Sequence, residues 1–192
     1  ISMYRKKEFT LRDCVIENNG GGVTSSDSYP YSGSWGKATI EHNIIRNNNR
    51  TGFSGNGLHV IICQHNATIR NNLVVNNSGT GIGCDFQSYG SAVIEDNIVE
   101  ESGGIGIYLT NARSAAIANV TVKNSGSDGM YLHRSSVSIE NQVAIRGSGD
   151  DGIYAHESSL SVKNATISGN GGHGISMYRK KEFTLRDCVI EN

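Results

Sequence analysis

Two short segments of the chain carry side chains that can exchange protons or pack against sugar rings. In Met130-Tyr131-Leu132-His133 and in Ile153-Tyr154-Ala155-His156, a tyrosine precedes a histidine by two residues. Imidazole titrates near neutral pH, and a tyrosine offers both an aromatic face and a hydroxyl group. Together with Tyr108, the two histidines His133 and His156 predict a strip that contacts a carbohydrate or a partner surface.

The same residues have a simpler interpretation. Outward positions of β-strands favour tyrosine and histidine because these side chains pack across neighbouring strands. Asp85 is expected one repeat before Tyr108, where it would add a carboxylate to the strip. The sequence does not choose between a site and cross-strand packing, and it assigns no catalytic residue.

A second aromatic group lies in an insertion at residues 25–36, which holds the only tryptophan and the only proline of the chain. A long loop between short repeats is often functional. Tyr29, Tyr31 and Trp35 could stack on sugar rings, form an interface, or fold over the chain's own apolar surface. All three interpretations remain open.

Acidic residues and cysteines give no metal-site signature. Asp128, Asp150 and Asp151 lie beside glycines, where aspartate is ordinary turn chemistry. We therefore predict no metal and no cofactor.

The cysteines at 14, 63, 84 and 188 lack C-x-x-C spacing, and Cys188 repeats Cys14. Buried free thiols and intermolecular disulfides through Cys14, Cys63 or Cys84 both remain open.

Overall charge and hydropathy exclude some partners. The formal net charge is −1 with a pI of about 6.6, so the chain lacks the basic surface that nucleic acids or anionic membranes attract. No apolar run approaches the roughly 18 residues that a membrane-spanning helix needs.

The elements that must position these residues are marked by glycines. Each of a series of glycines precedes an apolar residue, usually 22–25 residues after the last one, with one longer interval of 35. The pairs are Gly22-Val23, Gly57-Leu58, Gly81-Ile82, Gly104-Ile105, Gly129-Met130, Gly152-Ile153 and Gly174-Ile175. Repeats this short cannot hold helical hairpins, which need about 33 residues, but they fit three strands and three turns.

Each repeat has alternating apolar residues after the glycine, two further apolar stretches, and turns rich in asparagine and glycine. Equivalent strands of successive repeats would stack about 4.8 Å apart as three parallel sheets. The predicted fold is all-β: a parallel β-helix, a three-sheet solenoid with about seven coils per 174 residues. We expect asparagines to stack at the turns, His133 to lie under His156, and Tyr108 to lie in the His133 column.

A larger repeat contains the small one. Residues 1–18 and 175–192 are identical, ISMYRKKEFTLRDCVIEN, at an offset of 174 residues. We expect residues 1–192 to form one continuous solenoid, with 1–174 as one full tandem period and 175–192 as the start of the next.

The repeat pattern resembles a known family. Residues 72–82, NLVVNNSGTGI, are similar to the parallel β-helix repeat family, which includes pectate lyases, polygalacturonases, phage tailspikes and mannuronan C5-epimerases. The resemblance implies a right-handed solenoid. Residues 152–157, GIYAHE, also resemble the Gly-hydrophobic-Asp-Pro-His-Glu element of the epimerases, with His156 and Glu157 matching. Tyr154 stands at the aspartate position of that element, and Ala155 at the proline position.

Two functions follow from this pattern. The main prediction is a structural repeat of an extracellular or cell-surface fibre or adhesin, not an enzyme, whose partner is another copy of itself. Identical tandem units multiply length and valency without multiplying chemical specificity. The alternative is a β-helix that binds or modifies a polysaccharide, as a lyase or an epimerase does.

Overall fold

Three parallel sheets wind around one apolar core. The computed structural model describes residues 1–4, 8–26, 37–48, 58–62, 66–86 and 90–191, which contain 24 strands. Consecutive strands enter sheets A, B and C in turn, and each sheet has eight strands in parallel register. Three consecutive strands make one coil, so the described chain has eight coils. This arrangement confirms the predicted right-handed parallel β-helix.

Sheet A contains β1 (Ser2–Tyr4), β4 (Val23–Ser26), β7 (Leu58–Ile62), β10 (Ile82–Phe86), β13 (Ile107–Thr110), β16 (Met130–His133), β19 (Ile153–His156) and β22 (Ile175–Tyr178). Sheet B contains β2 (Glu8–Arg12), β5 (Lys37–Glu41), β8 (Asn66–Arg70), β11 (Ser91–Glu95), β14 (Ser114–Ala118), β17 (Ser136–Glu140), β20 (Ser159–Lys163) and β23 (Phe183–Arg186). Sheet C contains β3 (Val15–Glu17), β6 (Ile44–Arg46), β9 (Leu73–Val75), β12 (Ile98–Glu100), β15 (Thr121–Lys123), β18 (Val143–Arg146), β21 (Ala165–Ser168) and β24 (Val189–Glu191).

The core is a column of aliphatic side chains along the solenoid axis. In β16, Met130 and Leu132 are fully buried, whereas Tyr131 and His133, which alternate with them, are partly exposed. This period of two is what alternation in a strand requires. Burial of each such aliphatic side chain contributes about 1.5–3 kcal/mol, and it fixes which side chains face outward.

The start of coil 5 differs from the prediction. Ile82 pairs with Ile107, so Gly106-Ile107 begins this coil and the predicted Gly104-Ile105 does not. A Cβ atom at residue 106 would lie 2.4 Å from Val122 Cγ1 and 2.6 Å from the Gly129 carbonyl oxygen, so only glycine fits there. At residue 104 the nearest atom would be 3.4 Å away. The steric requirement lies at the second glycine of this Gly-Ile-Gly-Ile run.

An asparagine ladder closes the turn between sheets B and C in the early coils. Asn43 Nδ2 donates to Asn72 Oδ1 at 3.0 Å, and Asn72 Nδ2 donates to Asn97 Oδ1 at 3.0 Å. Each amide also bonds backbone groups of its own and the preceding coil; Asn72 Nδ2, for example, donates to Ile40 O at 2.9 Å. The ladder satisfies buried polar groups of the turn backbone.

The predicted stacking of asparagines is confirmed in these coils, but the ladder stops after coil 4. The equivalent buried positions of coils 5–7 hold apolar side chains, Val120, Val143 and Ala165. Asn119, Asn141 and Asn164 lie one or two residues earlier, exposed and with φ of 52° to 57°. Asparagine tolerates the left-handed region better than most residues, which explains why it recurs there.

No helix in the described residues is long and apolar enough to cross a membrane.

Candidate polysaccharide-binding face on sheet A

A column of three tyrosines stands on the outer face of sheet A. Tyr108 pairs with Tyr131, and Tyr131 pairs with Tyr154, across adjacent strands. Their rings stack with centroids 5.5 Å and 5.4 Å apart. Gly83 precedes Tyr108 in this column and Ser176 follows Tyr154, so the aromatic surface covers coils 5 to 7.

A second column, two residues further along each strand, contains the histidines. The rings of His133 and His156 are 5.0 Å apart and nearly parallel, at 5°. Tyr178 continues the column, with its ring 5.2 Å from that of His156. On the other side, Thr110 pairs with His133 and Asp85 pairs with Thr110. The predicted stacking of His133 with His156 is therefore confirmed.

The predicted place of Tyr108 is wrong. Tyr108 lies beside Tyr131 in the tyrosine column, and Thr110 occupies the position next to His133. The error follows from starting coil 5 at Gly104, two residues too early. That start pairs each residue of β13 with the residue of β16 two positions beyond its true partner, so that Tyr108 is matched with His133 instead of Tyr131. Tyr108 still lies on the same face as His133 and His156, because two residues is a whole period of a strand.

The imidazole of His133 is held in its neutral form. Partial burial lowers the pKa of His133, and the nearby positive charges of Arg134 and His156 lower it further. Burial among the stacked rings raises the pKa of both Tyr108 and Tyr131, with Asp85 adding to the effect on Tyr108. At neutral pH the face therefore offers an imidazole that can accept a proton, beside phenol hydroxyl groups that can donate hydrogen bonds.

An ion-pair network borders the histidine column. Glu157 accepts from Arg134 Nε at 2.9 Å and from Arg179 Nη1 at 3.1 Å. These two hydrogen bonds lower the pKa of Glu157 to about 2. Because Arg134 follows His133 and Arg179 follows Tyr178, positive charge lies along the edge of the face where sheet A turns towards sheet B.

Sequence reasoning missed part of the face. Tyr131, Tyr154 and Tyr178 complete the two columns; the first two were recognised beside His133 and His156, but only Tyr108 of these tyrosines was predicted as a contact residue. The signal was present, since each follows a glycine-marked coil start at the spacing of its neighbours in the column. Tyr29, Tyr31 and Trp35 of the predicted loop lie outside the described residues, so their three interpretations remain predictions.

The acidic residues that the sequence places in turns come together in space. Carboxylate oxygens of Asp128, Asp150 and Asp151 lie within 4.8 Å of one another, close enough to share a cation. Two of these carboxylates already accept backbone hydrogen bonds: Asp128 Oδ1 from Asp151 N at 3.1 Å, and Asp151 Oδ1 from His173 N at 2.6 Å. Burial raises the pKa of Asp128 to about 6.

The cysteines that the structure describes are free thiols. Cys84 is fully buried in the core, and burial raises its pKa to about 12, so it acts as a small apolar residue. Cys14 Sγ donates to Arg12 O at 3.2 Å and Cys188 Sγ donates to Arg186 O at 3.0 Å. Cys63 lies outside the described residues, and intermolecular disulfides remain a prediction.

Solved structures with the same fold come from enzymes that act on alginate. The A-module of the mannuronan C-5 epimerase AlgE6 from Azotobacter vinelandii aligns with a TM-score of 0.83 and 18% identity, covering 98% of this chain and 54% of that chain. A double mutant of the periplasmic alginate epimerase AlgG aligns with a TM-score of 0.75 and 17% identity, covering 98% and 47%. The chain thus spans about half the length of these proteins, and at this identity the likeness shows the fold.

These findings contradict the prediction of a non-enzymatic chain, because both of these structural neighbours are epimerases. No curated protein sequence gives a significant match. The family model described as a right-handed beta helix region matches residues 1–90 and 80–192, so the chain belongs to the right-handed β-helix family.

Proposed function

We propose that this chain is part of a carbohydrate-active β-helix that binds a uronan along the outer face of sheet A and moves a proton on the sugar. The observation that carries the proposal is the pair of columns on that face, with a tyrosine beside a histidine in coils 6 and 7 and further aromatic rings at Tyr108 and Tyr178. The stacked rings present their edges and hydroxyl groups to the outside, and these can contact successive sugars of a polymer and hydrogen-bond their hydroxyl and carboxylate groups.

The chemistry follows from the properties of a uronate. Its C5 atom carries the carboxyl group, so removal of the C5 proton leaves an electron pair that the carboxyl group can delocalise. The imidazole of His156 accepts this proton, and a phenol on the same face, such as that of Tyr178, can donate one. Return of a proton to C5 gives an epimer or the starting sugar, whereas loss of the C4–O bond gives an unsaturated sugar.

The choice of substrate class rests on two arguments. Positive charge from Arg134 and Arg179 borders the histidine column, which favours a sugar that carries carboxylates. The structural neighbours are also named as mannuronan and alginate epimerases. Tyr154 stands where the epimerase-like element has aspartate, so the proposed base is a histidine and not that carboxylate.

The test is deuterium exchange at C5. The protein is incubated with polymannuronate in D₂O, and proton NMR follows loss of the C5 signal, new epimer signals and unsaturated ends. We expect exchange that falls at least about 100-fold in His156→Gln, the order of magnitude that a lost acid–base group produces. His42→Asn, which changes an exposed turn histidine with φ of 56°, should exchange at the wild-type rate. Exchange that is absent in the wild type, or unchanged in His156→Gln, would contradict the proposal.

A second candidate is favoured by the return of residues 1–18 at 175–192. A tandem array of such periods would form an extracellular or cell-surface fibre in which copies associate end to end or side by side. Seven coils, each about 4.8 Å high, predict an axial repeat near 34 Å. Negative-stain imaging of the native protein should show filaments with this repeat, and discrete particles would contradict a fibre.

A further inference from the structure

A cationic groove lies beside the turn that joins sheet A to sheet B. It has a volume of about 190 Å³ and contains the side chains of Arg113, Arg134 and Lys181. The hydroxyl-bearing residues Ser136 and Ser159, which begin β17 and β20, line its wall. The groove therefore combines positive charge with hydrogen-bond donors in one concave surface.

Two of these cations have no carboxylate partner in the described part of the chain. Among the described residues, neither Arg113 nor Lys181 makes a salt bridge, whereas Arg134 is paired with Glu157. Arg179 and Lys180 precede Lys181 between β22 and β23, and Arg179 shares Glu157 with Arg134. A local excess of positive charge on a chain with a formal net charge of −1 marks this edge as a place that attracts anions.

The groove is continuous with the face on sheet A. Arg134 directly follows His133, the first imidazole of the histidine column, and it also lines the groove. A sugar bound at the histidine column in coil 6 therefore lies beside this groove, within reach of its positive charges. Ser136 and Ser159 also line a second groove of about 190 Å³ on the outer face of sheet B, where Glu182 contributes a carboxylate, so the cationic surface is confined to the turn.

We infer that this groove is a second binding site, which takes the carboxylate groups of a uronan whose neighbouring sugars lie on sheet A. The inference rests on the proposed function for its ligand, but it concerns different residues. Arg113 supplies a guanidinium that can hold a carboxylate in a bidentate geometry, and Lys181 supplies a point charge. Ser136 and Ser159 donate hydrogen bonds to the carboxylate or to sugar hydroxyls.

The test compares binding of an alginate oligosaccharide with binding of the same oligosaccharide after its carboxyl groups are reduced to alcohols. The double variant Arg113→Gln/Lys181→Gln should bind the alginate oligosaccharide about tenfold more weakly by calorimetry at low salt, and should bind the neutral form as the wild type does. In the exchange assay, its KM should rise while kcat stays unchanged, since neither residue contacts the reacting carbon.

The matched control is Arg146→Gln/Lys163→Gln, which removes the same charge from exposed positions on sheets C and B. Wild-type affinity in the Arg113/Lys181 variant would overturn the inference, as would an equal loss of affinity in the control. Tight binding of inorganic phosphate to the groove, lost in the variant while alginate affinity is kept, would also overturn it by showing a site for free anions.

The two proposals fail in different ways. Unchanged exchange in His156→Gln would contradict the proposed reaction and leave the groove intact as a binding site. Unchanged affinity in Arg113→Gln/Lys181→Gln would remove the groove and leave the reaction. Only a wild-type protein that does not bind alginate at all would overturn both.

Discussion

At the scale of single residues, the outer face of sheet A depends on which side chains share a column. Stacked rings at 5.0–5.5 Å shield one another from water, and that burial keeps His133 neutral and Tyr131 protonated. The same residue types scattered over a surface would have ordinary acidity. The columns therefore supply a row of stacked aromatic rings, with a neutral imidazole beside phenol hydroxyl groups at neutral pH.

Asp128 provides a stability prediction with a definite sign. Its pKa is about 6 in the folded chain against an ordinary value of 3.8, so the folded state binds the proton more tightly than the unfolded state. Stability should therefore fall as pH rises from about 4 to about 6, and the cost should persist above that range. Asp128→Asn keeps an acceptor for the Asp151 N–H and removes the buried charge. We expect it to raise the free energy of unfolding at pH 7 by about 1 kcal/mol or more.

The measurement is urea denaturation of both proteins at pH 4 and pH 7. Asp96→Asn, an exposed turn position with φ of 54°, is the control and should change stability by no more than about 0.5 kcal/mol. An Asp128→Asn protein that is less stable than the wild type at pH 7 would show that the charge is stabilising, against this interpretation.

At the scale of elements, the asparagine ladder holds the turn between sheets B and C in coils 2 to 4. Asn72 Nδ2 donates to Ile40 O, Arg70 O and Asn97 Oδ1, and Asn72 Oδ1 accepts from the backbone N–H of Asn43. Asn72→Ala leaves these buried groups without partners and should cost about 2–4 kcal/mol.

The neighbouring residue supplies the control. Asn71 is exposed with φ of 54°, and glycine adopts that backbone conformation without strain, so Asn71→Gly should cost less than about 1 kcal/mol. The midpoints of urea denaturation measure both changes. Equal losses in the two variants would show that the ladder contributes nothing beyond the turn conformation.

The fold and its register were largely predictable from sequence because the glycine spacing and the strand alternation are direct consequences of the coil. Tyr131 with Tyr154 and His133 with His156 follow from that spacing alone. Coil 5 was misplaced because Gly104 and Gly106 each precede an isoleucine, and only the packing of Val122 and Gly129 against Gly106 decides between them.

The extent of the asparagine ladder was not predictable for a similar reason. Asparagine suits two adjacent positions in the same turn, the inward ladder position and the outward position with positive φ. Asn72 occupies the first and Asn119 the second. The apolar neighbour Val120, which is buried, determines which one Asn119 takes.

At the scale of the whole molecule, one sequence occurs in two environments. Coil 1 and coil 8 contain the same residues, yet Leu11 is 8% exposed beneath coil 2, whereas its counterpart Leu185 is 42% exposed. Leu11→Ala should therefore cost about 2–4 kcal/mol, while Leu185→Ala in the 192-residue chain should cost less than about 1 kcal/mol. Each variant is the control of the other, and chemical denaturation of the two proteins gives the comparison. Equal losses would contradict the difference in burial.

The central claim is that a uronan lies on the outer face of sheet A, and NMR titration tests it most directly. Mannuronate oligosaccharide is added to the protein while the ring signals of Tyr108, Tyr131, Tyr154, His133 and His156 are followed. The account predicts that these signals shift together with one dissociation constant, and that the ring of Tyr178 shifts with them. Saturable binding that leaves all six rings unchanged and shifts residues of sheet C instead would contradict the account.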